Sequence, residues 1–323
     1  MGKTKNANLN RAGKNKEDEH YTKITDIEKE LRYYKHYFKD KTIFCNCDDP
    51  EYSNFWKYFE LNFTELGLKK LISTHYETQI PSYKLELIED VNGDGKITSK
   101  DIIKTPLKQN GDFRSPECIE ILKEADLVIT NPPFSLISEY ILQLVEYKKK
   151  FLIIGRETVI TNKEIFPLLR DGIIWLGYNY GEMEFVVPAD YEPRETRYRE
   201  ENGIKYHSLG NTLWLTNLDI PKRHEDYKAF RTFQKENYEM FDNYDAICIN
   251  KLTDIPIDYD GVMGVPITIL HNHNPEQYEI VGLLAGNIRG LAGIPSKINK
   301  DGPYVNGKLK FGRVLIRNKR LVK

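Results

Sequence analysis

Ala125-Asp126-Leu127-Val128-Ile129-Thr130-Asn131-Pro132-Pro133-Phe134 reads as a buried strand that runs straight into a turn stiffened by two prolines. Behind the turn, Ile137-Ser138-Glu139-Tyr140-Ile141-Leu142-Gln143-Leu144-Val145 has the spacing of a helix, and Phe151-Leu152-Ile153-Ile154 is another short apolar strand. Upstream, Thr42-Ile43-Phe44-Cys45 predicts a strand, and Asp49 with Pro50 predicts the start of a helix. That helix carries Phe55, Trp56, Phe59 and Phe63 and stops near Gly67. Lys70-Leu71-Ile72-Ser73-Thr74 reads as a second strand, with a third expected from Leu107 to Asp112. Ile173–Leu176 and Thr212–Thr216 add two more, and Ile24, Ile27, Leu31, Tyr34 and Phe38 mark an amphipathic helix from 24 to 38. Short apolar strands alternating with helices predict an α/β fold, with a parallel sheet covered on both faces and ligands beyond its carboxyl ends.

The motifs fall at those strand ends. An exocyclic amine on an aromatic ring is a poor nucleophile, because its lone pair is delocalised. A catalyst needs two acceptors that hold both amine hydrogens in the pyramidal geometry. The Asn131 side-chain carbonyl and the Pro132 backbone carbonyl can supply them, Pro132 and Pro133 carry no donors of their own, and Phe134 offers a face for stacking an extruded base. Asp112-Phe113, at a predicted strand end, pairs a carboxylate for a purine amine with an aromatic for its ring; alone, this pair would read as an ordinary strand-to-loop junction. Asn46-Cys47-Asp48-Asp49-Pro50 leaves the first strand and opens a helix, where nucleotide-type cofactors meet backbone amides, although the usual glycine-rich turn is absent. Glu77, past the second strand, is a candidate for ribose hydroxyls.

Several stretches together resemble the EcoRI-type adenine-N6 DNA methyltransferases. They are Asp18-Glu19-His20-Tyr21-Thr22, Cys45-Asn46-Cys47-Asp48-Asp49-Pro50, Gly111-Asp112-Phe113-Arg114-Ser115, Asn131-Pro132-Pro133-Phe134 and Phe151–Ile154. Leu213–Asp219, Gly261–Thr268 and Ile316–Arg320 extend the likeness over nearly the whole chain from residue 17. The resemblance implies a Rossmann-like sheet that binds S-adenosyl-L-methionine, with an appended target-recognition region. By it, Tyr21 and Thr22 lie over the cofactor, Asn46, Cys47, Asp48 and Asp49 bind its methionine part, Asp112 and Phe113 bind its adenine, and Asn131 to Phe134 hold the flipped target base. Tyr83–Thr105, Arg156–Asn162, Tyr178–Asn211 and Gly282–Gly307 depart from the family type. The last two are where contact with DNA bases is expected, so the recognised sequence is not carried over.

Composition is compatible with this. The chain has 323 residues, 40% hydrophobic and 29% charged, and its formal charge of -1 requires any phosphate contact to come from local patches. Two such patches are the arm with Lys3, Lys5, Arg11, Lys14 and Lys16, and the C-terminal segment from Lys308 to Lys323. The expected division is a mobile arm over 1–16, a cofactor-binding catalytic domain over 17–218 and a target-recognition region over 219–323. Double-stranded DNA is the expected partner. The chain is expected to act as a monomer, either as an orphan modification enzyme or beside a cognate restriction endonuclease that would share its site without binding it. Cys45, Cys47, Cys118 and Cys248 show no ligand or disulfide spacing, and no apolar run is long enough for a membrane span or signal peptide. A cytoplasmic protein that needs no metal is therefore expected.

Asp90-Val91-Asn92-Gly93-Asp94-Gly95 matches the first half of a calcium loop, but Asp101 stands where Glu is usual, and Tyr83–Ile88 upstream alternates like a strand. A surface β-hairpin turning at Asn92-Gly93 and Asp94-Gly95 is the favoured expectation. Two other functions remain open from the residues. One is the same loop acting on RNA or on a protein glutamine; the other is DNA binding without catalysis.

Overall fold

The computed structural model describes residues 20–47, 49–77, 82–189, 191, 197–286, 290–298 and 300–321; the N-terminal basic arm and Asp48 lie outside them. The chain forms two compact units, one built from the residues up to Glu157 with Gly177–Leu218, the other from Thr158–Leu176 with Asp219 onward. Among the described residues, no helix is long and apolar enough to cross a membrane.

The first unit opens with the short strand β1 (Tyr21–Thr22) and helix α1 (Ile24–Leu31). The apolar periodicity predicted one helix as far as Phe38, but α1 ends at Leu31 and a 3-10 turn follows at Lys35–Tyr37. Tertiary pull explains the break. The buried Glu30 carboxylate accepts from the Tyr178 and Asn179 amides at 2.8 and 2.9 Å and from the Tyr34 hydroxyl at 3.0 Å, while Tyr33 stacks on Tyr178 with centroids 3.7 Å apart. Tyr34 and Phe38 remain buried, so the periodicity marked the right face.

Strand β2 (Thr42–Cys45) matches its sequence expectation. Helix α2 (Asn54–Leu61) begins later than expected: its N-cap is Ser53, whose hydroxyl accepts from the Phe55 and Trp56 amides. Asp49 instead closes a turn before the helix, its side chain accepting from the Glu51 amide at 2.9 Å and its carbonyl from Ser53 at 2.6 Å. A short α3 (Phe63–Leu66) stops at Gly67, which takes φ +62°. Strand β3 (Lys70–Thr74) then pairs parallel with β2.

The expected hairpin is present as β4 (Tyr83–Leu87) and β5 (Ile103–Pro106), antiparallel with Glu86 opposite Ile103, and it extends the main sheet beside β3. The segment joining them is closed by its own acids. Asp90 accepts from the Gly93 and Gly95 amides, and Asp101 from those of Val91, Asn92 and Thr98. Among the described residues, no three His, Cys, Asp or Glu side chains gather as a metal-holding group. The third strand expected over 107–112 does not form. There the Lys108 and Gln109 amides go to the Glu117 carboxylate, so they have a partner without a neighbouring strand.

Helix α4 (Pro116–Glu124), capped by Ser115, leads to β6 (Leu127–Thr130), then α5 (Ile137–Glu146) and β7 (Lys150–Arg156). Strands β3, β2, β6 and β7 are adjacent and parallel. The remaining members are β8 (Trp175–Val187), β9 (Tyr198–Glu201) and β10 (Ile204–Thr216), with β10 antiparallel to β7. The strand order is β1-β8-β10-β7-β6-β2-β3-β4-β5, with β9 on β10. The parallel strands are buried throughout the centre, and Phe55 of α2 meets Trp214 of β10 edge-on at 5.9 Å. Sheet order therefore brings the carboxyl ends of β3, β2 and β6 side by side.

The second unit holds α6 (Phe166–Arg170), β11 (Glu239–Met240), β12 (Ile247–Cys248), β13 (Met263–Pro266), β14 (Tyr278–Leu284), the pair β15 (Tyr304–Val305) and β16 (Lys308–Leu309), and β17 (Arg313–Asn318). Its sheet runs β11-β12-β13-β17-β14 over a core that includes Phe241, Tyr244, Val262 and Leu315. The sequence expectation placed residues 158–176 with the catalytic domain. Their contacts group them instead with the C-terminal unit, where α6, with Phe166 and Leu169 buried, lies against β14.

Candidate active site

Asn131 follows the last residue of β6 and is 5% exposed. Its side-chain amide donates to the His20 backbone carbonyl at 2.5 Å. Only the nitrogen of that side chain can donate, so the contact fixes which way the oxygen points. That oxygen, Oδ1, is buried and has no donor among the described residues. An unsatisfied buried acceptor costs about 1–3 kcal/mol, and this one is able to take an incoming N–H. Beyond it, Pro132 is buried, and the Pro133 carbonyl accepts from Leu136 at 3.0 Å in a 3-10 turn. That turn leaves Phe134 half-buried, its ring edge-on to Phe185 at 5.7 Å and to His20 at 6.1 Å.

The end of β2 is tied to the same place. The Thr130 hydroxyl donates to the Asn46 carbonyl, and the Tyr140 hydroxyl donates to the Asn46 side-chain oxygen. Burial pushes the Tyr140 phenol far above its ordinary range, with the Cys47 thiol adding to the effect, so Tyr140 keeps the proton that it donates to Asn46. Cys47 takes φ +72°, a left-handed conformation uncommon for a side chain with a Cβ. The strand has ended by then, so Cys45 and Cys47 do not share a strand face.

At the end of β3, His75 stacks on Tyr83 with centroids 4.8 Å apart and stands 3.7 Å from an Asp49 oxygen. Burial lifts the Asp49 carboxyl above its usual range, against the Glu51 amide and the His75 imidazole, which both favour the charged form. Gly111 is pressed here: at φ +78°, an added Cβ would fall 1.8 Å from the His75 carbonyl oxygen. The Glu77 amide donates to the Asn110 carbonyl at 3.1 Å, fastening the loop before Asp112 to the strand end. Asp112 is gripped by Arg114 through two bonds of 2.8 and 2.6 Å. Phe113 is buried against Tyr140, edge-on at 5.0 Å.

Closing the circle, the Asn54 side chain donates to the Thr22 carbonyl at 2.7 Å, and the Tyr21 and Tyr52 rings lie 5.8 Å apart. The contacts therefore run from His20, Tyr21 and Thr22 through Asn54 and Asp49 to His75, Gly111 and Phe113, and back through Tyr140, Asn46 and Asn131. Apart from Asp48, which lies outside the described residues, the candidate catalytic and cofactor-binding residues lie in β1, in the segments that follow β2, β3 and β6, and in the loop before α4. Sequence reasoning missed Tyr140, His75 and the His20 carbonyl as structural parts of this site. Tyr140 reads as one more apolar position of a helix, and the contacts of His20 and His75 join segments far apart in the chain.

The chain matches the family model described as adenine-specific methyltransferase EcoRI over residues 8–319. It is 46% identical to the Type II methyltransferase M.EcoRI of Escherichia coli, with 98% of this chain and 97% of the relative covered. M.MgeORF184P of Mycoplasma genitalium is 38% identical and M.MpnI of Mycoplasma pneumoniae 35%, each covering 97% of this chain and 99% of the relative; both are also named Type II methyltransferases.

Proposed function

Because the chain belongs to the adenine-specific EcoRI methyltransferase family, we propose that it moves a methyl group from S-adenosyl-L-methionine to N6 of an adenine swung out of duplex DNA at a specific site. Family membership decides for adenine in DNA among the functions that the sequence left open. The observation that carries the site assignment is the buried Asn131 Oδ1, which lacks a donor among the described residues while the His20 carbonyl takes the amide nitrogen.

When bound, S-adenosyl-L-methionine supplies a methyl group already activated by a positive sulfur. Asn46, Cys47, Asp48 and Asp49 would hold its methionine part, Glu77 its ribose, and Asp112 with Phe113 its adenine, beneath Tyr21 and Thr22. The crowding of Gly111 against the β3 end and the left-handed turn at Cys47 fit a close approach of backbone to such a ligand.

On the target side, Asn131 Oδ1 accepts one N6 hydrogen and the Pro132 carbonyl the other, holding the amine lone pair out of the ring. Phe134 stacks on the base. As the new N–C bond forms and the methyl–sulfur bond breaks, its electron pair staying on the departing sulfur, N6 becomes positively charged, and the two oxygens stabilise that charge until a proton leaves to solvent. Preorganised acceptors of this kind are worth about 3–4 kcal/mol each in a water-poor site. This chain's residues supply binding, orientation and charge stabilisation, and no step calls on a metal.

Residues 219–323 would serve as the target-recognition region, with the lysines and arginines after Lys308 meeting phosphates. The protein would act as a monomer, either alone as an orphan modification enzyme or beside a restriction endonuclease that shares its DNA site. Substitution Asn131→Ala tests the catalytic assignment. It should abolish tritium transfer from labelled S-adenosyl-L-methionine to duplex DNA while cofactor binding by calorimetry persists; near-normal turnover would overturn it.

A further inference from the structure

His20 and His207 are both buried, at 3% and 4% exposure, and they touch through His20 Nε2 and His207 Nδ1 at 3.0 Å. Such a contact is satisfied when one nitrogen carries a proton and the other a lone pair, so neither ring has to be charged. The Tyr191 hydroxyl lies 3.0 Å from the same His207 nitrogen. The His20 ring is also wedged edge-on among Phe134, Phe185 and Tyr191 at 5.8–6.1 Å. Its side chain is thus held on several sides, while its backbone carbonyl holds the Asn131 amide.

The terminal torsion of asparagine is broad and has no strong intrinsic preference. Which face the Asn131 oxygen presents is therefore set from outside, by the acceptor that takes its nitrogen. From this, and resting on the catalytic role proposed above for Asn131, we infer that His207 is a positioning residue for methyl transfer. It anchors the His20 ring, the anchored residue fixes its own carbonyl, and that carbonyl aims Asn131 Oδ1 at the target amine. Tyr191 holds His207 at the same nitrogen. None of the three needs to touch the reacting atoms.

The test is single-turnover methylation at saturating DNA and S-adenosyl-L-methionine. His207→Phe keeps a ring of similar size and removes the nitrogen. It should slow transfer roughly 10- to 100-fold, the loss expected when a reacting group is misplaced by about 1 Å. KM for DNA and calorimetric affinity for S-adenosyl-L-methionine should stay within about twofold, well below the tenfold that 1.4 kcal/mol would produce. His207→Asn returns an amide near the position of Nδ1 and should recover most of the rate, which a bulk packing role would not predict. Should His207→Phe fold poorly, Tyr191→Phe removes one hydroxyl from the same nitrogen and should cost roughly three- to tenfold in rate alone. Wild-type rates in His207→Phe or Tyr191→Phe, or equal losses in His207→Phe and His207→Asn, would overturn the proposal. If the wild-type protein transfers methyl and Asn131→Ala does not, such a result removes only the positioning role; if Asn131→Ala remains active, the catalytic reading itself falls.

Discussion

The Tyr140 hydroxyl donates to the Asn46 side-chain oxygen, joining the helix behind the Asn-Pro-Pro-Phe turn to the loop that leaves β2. The two residues are 94 positions apart, both are buried, and neighbouring Thr130 holds the Asn46 backbone carbonyl as well. The loop proposed to hold the methyl donor and the loop proposed to hold the target base thus share one hydrogen-bonded frame.

Removing that hydroxyl should loosen the frame. Tyr140→Phe leaves a buried acceptor on Asn46 without its donor, a cost of about 1–3 kcal/mol. The expected result is a lower melting temperature and roughly 5- to 50-fold weaker binding of S-adenosyl-L-methionine by calorimetry. Unchanged affinity would separate Asn46 from the cofactor.

The backbone at Cys47 makes a different prediction. Its φ of +72° suits glycine and penalises branched side chains. Cys47→Gly should therefore fold with little loss, whereas Cys47→Val should lose about 1–2 kcal/mol in urea unfolding. Equal stability of the two variants would contradict a left-handed turn at this position.

Gly111 leaves no room for a methyl group, because backbone and not a flexible side-chain end stands 1.8 Å from where the Cβ of an alanine would lie. Gly111→Ala should push the loop carrying Asp112 away from the β3 end. We expect destabilisation of about 1–3 kcal/mol and the loss of measurable S-adenosyl-L-methionine binding. A variant that binds the cofactor normally would place the adenine subsite elsewhere.

Acid should weaken the second unit through His271 and His273. Burial pushes both imidazoles down to about 4, helped by Lys222 for His271 and by Arg223 and Lys319 for His273, where the Tyr278 carbonyl opposes the shift. In the unfolded chain they would titrate near 6.5. The folded state therefore binds fewer protons, and the stability that the neutral rings provide is full above about pH 7. It is lost as pH falls from about 6.5 towards 4, by up to about 3 kcal/mol per histidine. Melting temperature should drop between pH 7.5 and 5, and His271→Leu should flatten that drop. An identical pH profile in the variant would assign the acid sensitivity to other groups.

Much of this was legible beforehand. Thr42–Cys45 and Lys70–Thr74 are strands with the expected bounds, since a short run with apolar residues at its centre leaves few alternatives for a buried segment. The Asn131–Phe134 turn announces itself because prolines cannot continue a ladder and because asparagine chemistry is local. Capping at Ser53 and the missing strand at 107–112 were not legible. Asp49 and Ser53 are both suitable caps, and only the final chain path chooses between them. The alternation of strands and helices around residues 107–112 predicts a strand there, but Glu117 claims the amides that a ladder would need.

By itself the sequence determined what repeats at short range: the alternation of strands and helices, the chemical type of the Asn-Pro-Pro-Phe loop, and the candidate residues proposed to meet a purine and a sulfonium donor. Periodicity and side-chain chemistry are properties of neighbours in the chain, so they survive without coordinates. Tertiary structure alone decided which distant groups complete that chemistry. It set the aim of the Asn131 oxygen from the His20 carbonyl, 111 residues away, and it joined residues 158–176 to the C-terminal unit. Hydrogen bonds and apolar contacts between remote segments depend on how the sheet is ordered, and no local pattern encodes that order.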